Sequence, residues 1–141
     1  MNIVLDTNVL VAGLLSPFEP CGKILRMVSS GKLTLSFDAC ILSEYNEGLR
    51  RPKFKFEEDK VAALLDHIEY RGHTVASSPL PHSLPDPDDE PFLEVAIAGQ
   101  VTCLVTGNRI HFPLKLCLGV RVLSPKEFLS FYKKQQTLKS T

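Results

Sequence analysis

Short apolar runs alternate along this chain with longer segments of helical period. Asn2–Leu5, Leu33–Phe37, Thr74–Ala76, Cys103–Thr106 and Val120–Leu123 read as strands, brief and largely apolar as in a buried parallel sheet. Val61, Leu64, Leu65 and Ile68 recur at i, i+3, i+4 and i+7, the single stripe of an amphipathic helix, and Gly72 stops it. Ile41, Leu42, Tyr45 and Leu49 form a second stripe, ended by Pro52. Ser124-Pro125-Lys126-Glu127 predicts a capping box with proline at the first helical position, so Phe128, Leu129 and Tyr132 begin a last helix. Another helix is predicted over Phe92–Ala98, after the proline-rich stretch 77–91, which reads as a rigid loop. Strands alternating with helices predict parallel pairing through right-handed crossovers. The expected fold is α/β, a three-layer α/β/α sandwich.

Polar residues interrupt this pattern at particular places. Asp6, Thr7 and Asn8 divide the apolar opening IVLDTNVLVAGLL directly after the first strand. In an open parallel sheet, ligands bind beyond the carboxyl ends of the strands, at a switch in strand order. The stretch DPDDE sets Asp86, Asp88, Asp89 and Glu90 at the start of a helix, and VTGN ends the fourth strand at Asn108. Three polar sites distant in sequence are therefore expected to meet at one sheet edge. Glu44 flanks the stripe of Ile41, Tyr45 and Leu49, at the margin of a buried face. Oxygen-rich clusters of this kind select hard cations such as Mg²⁺ or Mn²⁺. Simpler roles stay open: Asp6 as a helix cap, the acids of DPDDE as complements to a helix dipole, Glu44 as ordinary surface. His111, after TGNRI at the same edge, is open between packing and substrate contact.

Size and charge narrow the field further. A chain of 141 residues, 44% hydrophobic and 23% charged, suits one domain. Residues 1–132 are assigned to it, with a polar tail over 133–141 expected to fray. No apolar run reaches the length of a membrane span, and no basic region precedes an apolar stretch at the N-terminus, so a cytoplasmic location is expected. Cys21, Cys40, Cys103 and Cys117 form no C-x-x-C pair, which removes support for a zinc ribbon or a disulfide framework. Neither a phosphate-binding loop nor a dinucleotide fingerprint is present. Residues 101–141 carry a net +6 and residues 1–100 a net −6. The basic end, with Arg50, Arg51, Lys53 and Lys55, can approach a polyanion.

Four pieces in order, IVLDTNVLVAGLL, LSEYNEGLRRPKF, DPDDEPFLEVAIAG and CLVTGNRIHFP, resemble the PIN domain, and within it the VapC-like toxins of toxin–antitoxin pairs. The resemblance runs from Asn2 to about Phe131. It implies a five-stranded parallel sheet, an acidic pocket holding Mg²⁺ or Mn²⁺, and a ribonuclease that cleaves single-stranded RNA. Carried over by position, Asp6, Glu44 and Asp89 match the family's catalytic, metal-holding acids. Asp88 is the neighbouring alternative to Asp89, and Asp86 a more distant one. Asn108 stands where many relatives have a fourth acid, so it would be a weaker ligand and a second metal less well held. Thr7 and Asn8 either orient Asp6 or cap the helix. Arg50, Arg51, Lys53 and Arg109 would guide the RNA backbone. The resemblance also implies a homodimer and a small antitoxin partner. Two rivals are carried beside it. One is a PIN-fold module that binds RNA or protein without cleaving, kept by Asn108. The other is a D-x-D phosphatase, disfavoured because Asn8 replaces the second acid.

Overall fold

The computed structural model describes residues 1–139. Strands β1 (Asn2–Leu5), β2 (Thr34–Phe37), β3 (His73–Thr74), β4 (Cys103–Val105) and β5 (Val122–Leu123) form one sheet of order β3-β2-β1-β4-β5. Every pairing is parallel. The flanking helices are α1 (Thr7–Leu15), α2 (Pro20–Ser29), α3 (Ala39–Leu49), α4 (Glu58–Arg71), α5 (Glu90–Ala98) and α6 (Pro125–Lys139). From β1 the chain builds outward to β2 and β3, then returns past β1 to add β4 and β5. The switch in strand order therefore falls between β1 and β4.

The centre of the sheet is dry, as its apolar strands require. Ile3, Val4 and Leu5 are fully buried, with Ile3 in register between Leu35 and Cys103. Helix α5 packs across β1, β2 and β4 through Phe92, Leu93, Val95 and Ala96. Helix α3 begins where Asp38 accepts a hydrogen bond from the Ile41 N–H at 2.9 Å. The expected capping box is present: Ser124 N–H donates to Glu127 Oε1 at 2.9 Å, and Glu127 N–H donates to Ser124 Oγ at 3.1 Å.

Several boundaries differ from the sequence reading, each for a local reason. The fifth strand starts at Val122 rather than Val120, because the Val120 N–H is taken by Cys117 O in a turn. Gly119 sits at φ +86 within that turn, where glycine is unstrained. The third strand is His73–Thr74, an exposed edge, rather than Thr74–Ala76. Helix α5 begins at Glu90, two residues before the expected Phe92, in continuation of a 3₁₀ turn over Pro87–Asp89. Helix α6 runs on through the polar stretch to Lys139, and residues 140–141 of the expected tail lie outside the described residues.

Two contacts tie α3 to the junction of β1 and α1. The buried Tyr45 hydroxyl donates to Leu5 O at 2.6 Å, which satisfies a hydroxyl that burial would otherwise penalise. Opposite, Gly48 lets α1 approach: a Cβ there would stand 2.5 Å from Thr7 Cγ2, with the next atom, Thr7 Cβ, at 3.9 Å. Gly48→Ala should therefore lower stability to urea by about 1–3 kcal/mol through overpacking. Because one methyl group carries the clash, Thr7→Ser in the same chain should recover most of the loss; additive effects of the two substitutions would refute the contact.

Candidate active site

Asp6 lies at the switch point and is held from several directions. Its N–H donates to Val105 O at 3.0 Å, extending the β1–β4 ladder by one residue. As the N-cap of α1, its Oδ1 accepts a long bond, 3.4 Å, from the Asn8 N–H. Its Oδ2 accepts from Thr106 Oγ1 at 2.9 Å, and that hydroxyl in turn accepts from the Asn108 N–H at 3.0 Å. Asp6 is only 5% exposed and Thr106 fully buried. The capping role and the sheet-edge placement, posed as alternatives by the sequence, coexist in one side chain.

Around Asp6 opens a cleft of about 230 Å³ whose lining includes Thr7, Asn8, Glu44, Arg51, Asp86, Asp88, Asp89 and His111. Glu44, half-buried on α3, has its carboxyl pushed up by burial first, then by Glu47, Asp88 and Asp6, with Arg51 opposing. Asp86 accepts from the Asp88 N–H at 2.9 Å and so shapes the turn that presents Asp89. Glu90, the remaining acid of DPDDE, holds the proline loop by accepting from the Leu84 N–H at 3.0 Å. Asp89 is 9% exposed. Burial first, then Asp6 and Asp86, push its carboxyl up to about 6 against the pull of His111. A larger, mainly apolar groove of about 690 Å³, lined in part by Leu25, Phe56 and Leu64, has Glu57 as its one lining acid and gathers no such charge.

The expected site residues are thus partly convergent. Asp6, Glu44, Asp88 and Asp89 share the cleft, with Asp89 buried and Asp88 exposed. Asn108 is exposed and does not line it; its contribution is the backbone N–H bond to Thr106. Thr7 and Asn8 both line the cleft; the bond to Asp6 comes from the Asn8 backbone, and Thr7 Oγ1 is buried without a hydrogen-bond partner. Among the basic residues, Arg51 lines the cleft. Arg50 is engaged by Glu58 at 2.8 Å and Arg109 by Glu127 at 2.8 Å, while Lys53 lies over the Phe54 ring at 5.1 Å. Sequence reasoning missed Thr106; its signal was a hydroxyl directly after the apolar CLV, at the same edge as Asp6.

The cleft's donor set fits a divalent cation. Asp89 Oδ2 is buried, and the only side chain paired with it among the described residues is His111, whose Nδ1 stands 3.1 Å away. A buried oxygen in that condition is costly until something compensates it. Ligand atoms of Asp86, Asp89 and His111 lie within 4.8 Å of one another.

A parallel α/β sheet with carboxylates from separate elements converging at its switch point is the frame of an acidic ligand site. A family model of the PIN domain matches residues 2–110, and the chain belongs to the PIN domain family. Its function is accordingly of nuclease type. No curated protein matches the chain. Among the described residues, no helix is long and apolar enough to cross a membrane.

The Asp89 carboxyl yields a stability prediction. Its folded value of about 6 lies above the roughly 3.9 of an unfolded aspartate, so the folded state holds this proton more tightly. Its contribution is therefore favourable at low pH and is lost as pH rises from about 4 through about 6. In metal-free protein, the melting temperature of wild type relative to Asp89→Asn should fall across that window. Added Mg²⁺ or Mn²⁺ should raise it more near about pH 7 than near about pH 4, where protons compete for the ligand. Parallel melting curves for the two proteins would contradict the assignment.

Proposed function

We propose that the protein is a divalent-cation-dependent endoribonuclease that cleaves single-stranded RNA. The observation that carries this reading is the convergence of Asp6, Glu44, Asp88 and Asp89 on one cleft beside Arg51. Asp6, Glu44 and Asp89 hold the cation, Mg²⁺ or Mn²⁺, with Asp88 at the rim. When bound, the cation supplies acidification of water and neutralisation of charge building on phosphoryl oxygens. The chain's own groups supply position. Thr106 and the start of α1 fix both oxygens of Asp6. Arg51 offers a planar, bidentate donor to the RNA phosphate at the edge of the cleft. Arg50, Lys53 and Arg109 steer the backbone from farther out, since exposed ion pairs such as Arg50–Glu58 are weak enough to exchange for phosphate.

The wider biological reading is that of the toxin in a toxin–antitoxin pair, cytoplasmic and homodimeric, restrained by a small antitoxin. It is supported by the four-piece resemblance to VapC-like proteins. A second reading, a PIN-fold module that binds RNA or protein without turnover, is favoured by Asn108, an exposed amide outside the cleft lining.

Incubation of the purified protein with mixed single-stranded RNA separates the two. Cleavage is expected with Mn²⁺, abolished by EDTA, and reduced about 10²–10³-fold in Asp6→Asn. Cleavage should also weaken steeply with rising salt, because phosphate contacts release counterions. RNA binding without turnover by the folded wild type, across several RNAs, would establish the binding module instead.

A further inference from the structure

The loop after β4 brings a nitrogen donor into a cleft otherwise rich in oxygen. His111 closes a 3₁₀ turn over Arg109–His111, its N–H donating to Asn108 O at 3.0 Å. The next residue, Phe112, is buried and pins the turn. The imidazole is thereby held at the cleft rather than recruited from free loop. His111 also stands one residue beyond the family match, which ends at residue 110.

We propose that Asp86 and His111 join Asp89 as ligands of the cleft's cation, giving a mixed oxygen–nitrogen site that prefers a transition-metal divalent cation, such as Mn²⁺, over Mg²⁺. The proposal deepens the nuclease reading by naming the metal class, and rests on it only in taking the same cleft. Asp89 Oδ2, in a residue 9% exposed, has no hydrogen-bond partner and lines the cleft. Its 3.1 Å separation from His111 Nδ1 matches two neighbouring ligands of one ion: bonds of ~2.1 Å at a right angle set their ends roughly 3.0 Å apart. Asp86 uses Oδ1 to accept from the Asp88 N–H, so the turn does not consume its second oxygen. Mg²⁺ favours oxygen ligands and retains water, whereas imidazole raises affinity along the transition series. A nitrogen ligand on the cleft therefore separates the two classes of ion.

The test uses the full chain, without RNA, loaded with Mn²⁺ alone. Pulsed electron paramagnetic resonance should show coupling of the metal to a directly bound nitrogen in wild type and in His82→Gln, a change in the proline-rich loop outside the cleft lining, and none in His111→Gln. By calorimetry, His111→Gln should lose about tenfold or more in Mn²⁺ affinity while Mg²⁺ affinity stays within about twofold. Asp86→Asn, which leaves the imidazole, should weaken Mn²⁺ binding and keep the nitrogen coupling. Isotopic labelling of histidine should shift the wild-type coupling, a readout that needs no variant to fold. Nitrogen coupling absent from wild type or surviving in His111→Gln, or equal losses for both metals, would overturn the site. RNA cleavage without nitrogen coupling would sink this proposal and leave the nuclease; coupling without cleavage would do the reverse.

Discussion

Crowding of like charge at the carboxyl edge of the sheet is the constraint around which this molecule is arranged. Asp6, Glu44, Asp86, Asp88 and Asp89 border one cleft. Like unit charges about 4 Å apart repel by about 4 kcal/mol at an effective dielectric near 20, and by less where water reaches them. Left to relax, such side chains would turn outward to water. Burial first, and the neighbouring acids second, raise the proton affinity of Asp89 and Glu44, so the fold withholds this relaxation. The same field that favours a proton there favours a cation.

The restraint comes from the core, through contacts that are individually ordinary. The Asp6 backbone is an extension of the β1–β4 ladder, and its two oxygens answer to two elements, α1 and the residue after β4. Those two strands are neighbours only because the strand order reverses between them. The Thr106–Asp6 bond spans 100 residues of sequence and joins the two halves of the sheet at the place where the chemistry sits. Tyr45 fixes α3 to the carbonyl that precedes Asp6, and Gly48 permits the close approach of α1. Glu44 thus reaches the cleft because the residue after it is anchored in the core.

The sequence disclosed what periodicity and punctuation can encode. Parallel strands, the stripes of α3 and α4, and the capping box of α6 are local patterns, and the structure carries them. The convergence of Asp6 with the DPDDE acids was legible because strand ends share an edge. What escaped was non-local or conformational. Thr106 looks like a strand residue until its hydroxyl is placed against Asp6. His111 gave two readings because its role depends on a turn with no periodic signature. Arg50 and Arg109 read as free cations, while Glu58 and Glu127, 8 and 18 residues along, engage them. The edge strand β5 slipped because its start is set by a turn hydrogen bond, Val120 N–H to Cys117 O, rather than by an apolar run.

The distribution of acids also bears on how many cations the cleft supports. Two-metal sites place ions about 3.5–4 Å apart, each needing its own ligands and at least one carboxylate shared between them. Here the position after β4 contributes an amide that is exposed and outside the lining, and the hydroxyl beside it is spent on Asp6. The β4 side of the cleft thus adds no negative charge near Asp6. On the opposite flank, Arg51 already offsets Glu44. The remaining acidic charge gathers at Asp89, where a buried oxygen has the His111 imidazole beside it at 3.1 Å. On the proposed reading, that distribution favours a single cation, seated toward Asp89, with Asp6 as a rigid second support and Arg51 placed between Glu44 and an incoming phosphate.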